Sequence, residues 1–440
     1  MAALAAGPAQ ARGECRARQR PQGLALDRRD GGERRRARRR RPARGISPGG
    51  RRRLPAPRAL QGRRRAADAR RRRQDTAGRP EGRSPVSATV TRPLGGRQVW
   101  RGEDLARSTD WIHPISAAEQ DELGAALRRV QQRGPGWREL RREDFAIPRL
   151  ARTLAAASDE LEHGRGLVLL RRIPVECYTG DELRILYWGI GLHLGTPRYQ
   201  NGKGELIGDV RDENRLYGEV REVNPMKAGE PRTSRNKARS AGPLRFHTDR
   251  VDAVTLLCVR PAAKGGLSKV VSSAAVYNTI LARRPDLHAL LCAPYHHVRE
   301  GEAGGKQQFY AMPVFGLRDG KLTSQYSRTF VENAQHLAGV PRLTEAQNAA
   351  LDLWAEVCEE LCYSMDMQAG DVQLLNNHLV YHARSTYEDD PAPGRDRFLM
   401  RLWLSMPNSR ALPDGFEALW GSTAPGALRG GIAQTQGAPA

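Results

Sequence analysis

His247 and Asp249 stand two residues apart in the stretch Phe246-His247-Thr248-Asp249-Arg250. On an extended backbone, residues i and i+2 project to the same face, so the imidazole and the carboxylate converge on one point. Imidazole plus carboxylate suits iron(II), and a second histidine from elsewhere completes a facial triad that leaves three octahedral positions open. The pair alone decides little. With 10 His in 440 residues, chance supplies about half of one such spacing. A buried His bonded to the neighbouring Asp is the ordinary structural explanation.

A second cluster lies downstream. Gly370-Asp371-Val372-Gln373-Leu374-Leu375-Asn376-Asn377-His378-Leu379-Val380-Tyr381-His382-Ala383-Arg384 is followed closely by Arg397-Phe398-Leu399-Met400-Arg401-Leu402-Trp403-Leu404. As a strand, the latter places Arg397, Leu399, Arg401 and Trp403 on one face and Phe398, Met400, Leu402 and Leu404 on the other. Two arginines on one face of a buried strand, roughly 13 Å apart by strand rise, are costly unless anions meet them. A dicarboxylate beside a metal would satisfy both, because the planar guanidinium fork holds a carboxylate bidentately. Ordinary salt bridges at a sheet edge would also serve.

His247-Thr248-Asp249, Gly265-Gly266-Leu267-Ser268, Asn376-Asn377-His378 through His382, and Arg397-x-x-x-Arg401 occur in that order. Together they resemble the TauD/TfdA family of taurine-dioxygenase-like enzymes, over about residues 98 to 410. The resemblance implies a double-stranded β-helix (jelly roll) with Fe(2+) held by His247, Asp249 and His382. It implies 2-oxoglutarate as cosubstrate, with Ser268 and Arg397 on its distal carboxylate and Arg401 reaching the cosubstrate, the substrate or both. The implied reaction consumes O2, releases succinate and CO2, and hydroxylates or desaturates a small organic substrate. Halogenating relatives carry a small residue where Asp249 stands, so Asp249 favours oxygenation. Among rivals for the third ligand, His378 shares strand parity with His382 but stands roughly 13 Å away, which marks it as a packing residue. His296 and His297 are adjacent and would face opposite ways. His113, His163, His193, His288 and His336 have no metal-spaced partner. An amino-acid hydroxylase of the clavaminate-synthase type is the alternative catalyst.

Helical spacing and capping boxes mark the elements that must position these groups. Ser116 and Glu119 open a helix through Leu123, Ala126, Leu127 and Val130. Thr344 and Gln347 open another through Leu351, Trp354, Cys358 and Leu361. Further helices are expected over 148–162 and 181–194, with strands over 166–170, 254–259, 269–272, 312–317, 372–375 and 398–404. Helices first, then many strands around one long helix, read as α+β with a β-sandwich or jelly-roll core and flanking helices. Tyr326 and Arg328 share a strand face and are expected to reach the pocket. The stretch Glu388–Pro393 lengthens the loop between His382 and Arg397 relative to the taurine enzyme, and the segment 226–241 matches nothing in the family pattern and is read as a lid or substrate determinant.

The formal net charge is +23, and residues 1–95 hold +21 of it, from 28 Arg against seven acidic residues. This stretch offers little apolar surface to offset ordering, and reads as a disordered extension. No aromatic interleaves its arginines, so stacking on nucleic-acid bases is not expected, although the arm could attract phosphates. A non-catalytic jelly roll with a nucleic-acid-binding arm is thus the remaining alternative. The six cysteines show no zinc spacing and are the usage of a reducing compartment, which points to the cytoplasm. Cys358 and Cys362 read as small core residues. No run is long and apolar enough for a membrane span. The domains expected are the extension 1–95, the oxygenase domain 98–410 and a loose Gly/Ala-rich tail 411–440. Arg401 hints at an anionic group on a small-molecule substrate.

Overall fold

Alternation sorts the long strand Phe398–Ser405 between two cores: Phe398, Met400, Leu402 and Leu404 pack on one side, Leu399 and Trp403 on the other. The computed structural model describes residues 92–134, 136–213, 239–299 and 308–434. The extension 1–95 up to residue 91, and 226–238 of the unmatched segment, lie outside the described residues. Leu94 exchanges two hydrogen bonds with the Asn278 side chain, so ordered chain begins before residue 95.

Seven strands form the larger sheet: β1 (Ile112–Pro114), β2 (Leu167–Arg171), β3 (Thr196–Pro197), β4 (Ile207–Val210), β6 (Ala253–Arg260), β14 (Val372–Asn376) and β17 (Phe398–Ser405). Their order is β1-β2-β14-β6-β17-β3, with β4 also on β17. The smaller sheet runs β13 (Tyr363–Met365), β8 (Ser268–Ser272), β15 (Val380–Arg384), β5 (Leu244–His247). Two hairpins, β9 (Pro294–Val298) with β10 (Phe309–Pro313) and β11 (Phe315–Arg318) with β12 (Lys321–Ser324), stand apart from both sheets. A two-residue pair, β7 (Lys264–Gly265) with β16 (Tyr387–Glu388), closes one end. The run expected as one strand over 312–317 is broken at Val314, between β10 and β11.

Side chains of both sheets meet in one cluster, Leu167, Leu169, Val254 and Trp403 from the larger and Val270, Val380 and Met365 from the smaller. The outer face of the larger sheet is covered by helices Ala117–Arg133, Pro148–His163 and Gly180–Leu194. The first is capped as its sequence predicts, with Ser116 Oγ accepting from the Glu119 N–H, and Gly134 ends it at φ +76°, a left-handed turn open to glycine. The outer face of the smaller sheet is covered by helices Ser273–Arg283 and Glu345–Leu361. There Trp354 packs edge-on against Tyr326 and Tyr381, and truncating it would cost about 3–5 kcal/mol. The layering is helices, sheet, sheet, helices: a mixed α and β protein. Among the described residues no helix is long and apolar enough to cross a membrane.

Three expectations need correction. Tyr326 lies outside any strand, fully buried against Trp354, and Arg328 begins the helix Arg328–Ala334, where it pairs with Glu332 and Asp352. Neither lines either of the two cavities that His247 borders; Gln325 and Ser327 line the larger one instead. The segment from 411 is not loose as far as residue 434: Leu412, Phe416, Leu419, Trp420 and Arg429 are buried. Its apolar anchors outweigh its Gly/Ala content, and Arg429 Nε reaches the buried Asp252 carboxylate at 2.7 Å. Cys258, Cys292, Cys358 and Cys362 are free thiols, with Cys358 in the core, but Cys362 follows the helix end and Cys177 is disulfide-bonded.

Candidate active site

β5 and β15 run antiparallel, and their register sets His247 directly opposite His382. β5 ends at His247, so the chain turns there and Asp249 returns over the same point. Asn377 pins that turn: its Oδ1 accepts from the Asp249 N–H at 3.0 Å and its amide donates to the Val251 carbonyl at 3.0 Å. The donor atoms of His247, Asp249 and His382 all lie within 4.8 Å of one another, and all three residues are buried. His247 Nε2 is 3.7 Å and His382 Nε2 is 3.9 Å from the Asp249 carboxylate oxygens. These separations are too long for hydrogen bonds, so the groups face a common point without bonding one another. A simple His–Asp hydrogen bond therefore does not explain the pair.

The electrostatics agree with a metal centre. The His247 Nδ1–H donates to the Arg245 carbonyl at 3.0 Å, which leaves the Nε2 lone pair facing the cluster. Burial lowers the His247 pKa, and burial together with His247 lowers that of His382 to about 3, so both imidazoles are neutral. Burial opposes ionisation of Asp249, but its neighbours, the Arg401 cation foremost and the Trp403 N–H among them, outweigh it and hold the carboxyl below its usual range. Trp403 Nε1 donates to Asp249 Oδ2 at 2.9 Å. Two neutral nitrogens and one anionic oxygen are the donor set that a facial iron(II) site requires.

Two cavities share His247 and Arg401. The smaller, of about 500 Å³, is lined by His382, Ser268, Arg397, Arg384 and Leu399 among others. The larger, of about 710 Å³, is lined by Asp249, Arg250, Arg299, Gln325, Phe330 and Trp403 among others. In the smaller, Arg397 is 5 % exposed and its buried Nη1 has no hydrogen-bond partner among the described residues. Burial alone would depress the pKa of such a cation, and a dry unpaired charge is costly. An anionic ligand of the cavity would remove that cost, which fits a dicarboxylate cosubstrate. Ser268 Oγ lies in the same cavity and donates to Gln373 Oε1 at 3.1 Å. The Gly265-Gly266 pair lets the chain pass close to it. Both residues have positive φ, +73° and +69°, and a Cβ at Gly265 would fall 2.4 Å from the Thr386 carbonyl oxygen.

The six residues picked out by the sequence thus gather at one place: three converge, and Ser268, Arg397 and Arg401 line the cavity beside them. Arg401 borders both cavities, its Nε donating to Gln200 Oε1 at 2.7 Å and its Nη1 3.6 Å from Asp249 Oδ2. His378 packs away from the site, Nε2 2.9 Å from Asp252 Oδ1. Sequence reasoning missed Gln200, Gln373, Asn377 and Arg384, as well as Arg299, Gln325 and Phe330. Arg384 carried a signal, because it is two residues from His382 on one strand face, and Asn377 stands in the Asn376-Asn377-His378 motif although no role was assigned to it; the others are brought in by tertiary packing. The loop Glu388–Pro393 is tied to the site: Asp389 Oδ1 accepts from the Arg397 backbone N–H at 2.7 Å.

Comparison with known proteins places this arrangement. The family model described as taurine catabolism dioxygenase TauD, TfdA family matches residues 131–403, more than half of the chain. The FR-33289 synthase of Streptomyces rubellomurinus is 30% identical over 342 residues, covering 76% of this chain and 97% of that protein. The taurine hydroxylase-like protein SAT17 of Stachybotrys chartarum is 29% identical over 353 residues, 72% of this chain and 88% of its own. Among solved structures, an asparagine oxygenase in complex with Fe(II), hydroxyasparagine and succinate superposes with a TM-score of 0.50. It is 15% identical, covering 67% of this chain and 93% of its own, a likeness of fold. A variant of the non-heme iron oxygenase OrfP in complex with (3S)-hydroxy-L-Arg gives a TM-score of 0.50 at 15% identity, over 72% of this chain and 99% of that one. A non-catalytic role is not favoured. The chain belongs to the TauD/TfdA family, and it is an iron(II)- and 2-oxoglutarate-dependent dioxygenase that uses O2.

Proposed function

We propose that the protein hydroxylates or desaturates a small, anionic organic molecule, with His247, Asp249 and His382 as the iron ligands. The observation that carries this reading is the buried convergence of those three side chains where two cavities meet. In this assignment the two sheets are the layers of a double-stranded β-helix, and the oxygenase domain spans 98–410 with the described tail packed on it. Ser268 and Arg397 bind the distal carboxylate of 2-oxoglutarate in the smaller cavity, and the substrate enters the larger one. When bound, the iron supplies the redox chemistry that couples conversion of 2-oxoglutarate to succinate and CO2 with oxidation of a C–H bond.

The chain's own residues do the positioning. His247 and His382 stay neutral as donors, and the Arg245 carbonyl fixes the His247 tautomer. Trp403 and Asn377 orient Asp249 through its side chain and its backbone. Arg401, held by Gln200, stands between the two cavities and is placed to meet an anionic group from either side. Arg250 and Arg299 add positive charge to the wall of the larger cavity, which supports an anionic substrate. The test is succinate formation from 2-oxoglutarate across sulfonates, carnitine precursors and amino acids. Substrate-stimulated, O2-dependent succinate that vanishes in Asp249→Ala is expected. Stimulation that survives in the variant would remove the assignment, and stimulation by amino acids alone would favour the clavaminate-synthase type.

A further inference from the structure

Three arginines border the smaller cavity, and one aromatic ring lies against two of them, Arg384 and Arg397. The guanidinium carbon of Arg384 is 4.8 Å, and that of Arg397 5.1 Å, from the centroid of the Tyr387 ring. Arg384, Arg397 and Tyr387 are all buried. Two like charges in a site shielded from water repel one another. The electron-rich face of a tyrosine attracts each of them, more strongly when desolvated.

The ring itself is fixed. Tyr387 lies on β16, opposite Gly265 of β7, and its backbone N–H donates to the Ala241 carbonyl at 3.2 Å. A Cβ at Gly266 would lie 3.3 Å from Tyr387 Cβ and 3.2 Å from Arg397 Nε, so glycine is what allows the backbone to close over both. Arg384 Nη2 donates to the Ser240 carbonyl at 2.6 Å and also to that of Gly242. Arg397 differs: its backbone N–H is held by Asp389, but its buried Nη1 has no hydrogen-bond partner among the described residues. The charged head of Arg397 is thus packed on a ring that is anchored independently of it.

We infer that Tyr387 is a positioning residue for the cosubstrate: backed by Arg384, its ring holds the Arg397 guanidinium in the orientation that receives the distal carboxylate of the keto acid. The inference rests on Arg397 receiving that carboxylate. It separates Tyr387 from residues that merely fill space, because only ligands bearing a distal carboxylate should sense its loss.

The experiment titrates the full chain, loaded with redox-silent Mn(II), calorimetrically with 2-oxoglutarate and with 2-oxobutyrate, which has the same keto-acid head and no second carboxylate. Tyr387→Leu is expected to weaken 2-oxoglutarate binding about tenfold, the size of a desolvated cation–π contact, and to leave 2-oxobutyrate unchanged. Tyr387→Phe keeps the ring and the wild-type affinities. Arg384→Met gives the same selective loss at smaller size, which keeps the test available should Tyr387→Leu not fold. Wild-type affinity for 2-oxoglutarate in Tyr387→Leu, equal losses for both acids, or a Phe variant as impaired as Leu would each overturn it. A wild type that does not prefer 2-oxoglutarate over 2-oxobutyrate would instead remove the Arg397 assignment beneath it.

Discussion

The two cavities that meet at His247 and Arg401 are built by different means. The smaller is walled chiefly from strands: Ser268 on β8, His382 and Arg384 on β15, Leu399 and Arg401 on β17. Ladder hydrogen bonds and alternation fix each of those directions. The larger takes much of its wall from between and beyond the strands. Arg250 follows the turn after β5, Gln325 and Ser327 precede a helix, and Leu419 and Ile432 come from the C-terminal segment. A keto acid that must meet iron in one geometry is served by the rigid side. The substrate side depends on packing between distant segments, which is where binding differences between proteins of one fold reside.

The comparison can be broken first at the C-terminal segment. Arg429 is 1 % exposed and pairs with Asp252, three residues beyond Asp249. Arg429→Met strands a buried carboxylate beside a neutral imidazole and should cost about 3–5 kcal/mol of stability, read as a lowered urea midpoint. A loss under about 1 kcal/mol would show that the segment is not part of the fold's support. On the strand-built side, Arg397→Met should raise the KM for 2-oxoglutarate about 30-fold or more, the value of a charge-assisted hydrogen-bonded pair, with stability unchanged or improved. An unchanged KM would place the distal carboxylate elsewhere.

A smaller effect concerns pH. His297 on β9, next to Val298 and Arg299 of the larger cavity, is buried, and burial lowers its pKa to about 4. Its folded pKa lies below the unfolded value of about 6.5. Its contribution to stability is therefore complete above about pH 6.5 and is lost as pH falls toward 4. Between pH 7 and pH 5 the wild type should lose about 1–2 kcal/mol more than His297→Phe in paired denaturant melts. Parallel losses would show that this imidazole does not control the acid response. The smallest change sharpens the contrast between the sides: Arg299→Met should leave 2-oxoglutarate affinity within about twofold of wild type while raising the substrate KM about tenfold. A matching loss of 2-oxoglutarate affinity would mean the cavities are not separate.

The same division explains what the sequence revealed. His247, Asp249, His382, Ser268 and Arg401 were legible because they sit on or beside strands whose period is two, within motifs a few residues long. The face assignment of Leu399 and Trp403 against Phe398, Met400, Leu402 and Leu404 follows from that period and is what the two core clusters display. The capping boxes at Ser116 and Thr344 were legible for a similar local reason. Asn377 pins the Asp249 turn from 128 residues away, and Gln200 meets Arg401 from 201 residues away. Contacts at that separation leave no local pattern. Tyr326 was misread because its strand-like surroundings end in a helix start, which turns its side chain into the Trp354 core. The tail was misread because composition hid a few anchors, Phe416, Trp420 and Arg429, among glycines and alanines.

The shared point between the cavities is open to direct measurement. Anaerobic addition of Fe(II) and then 2-oxoglutarate to the wild-type chain should produce the visible charge-transfer absorbance of a keto acid chelated to ferrous iron, and His247→Ala should not produce it. Undiminished absorbance in His247→Ala, with a wild-type melting curve, would mean that iron binds elsewhere and would contradict the assignment of the metal centre.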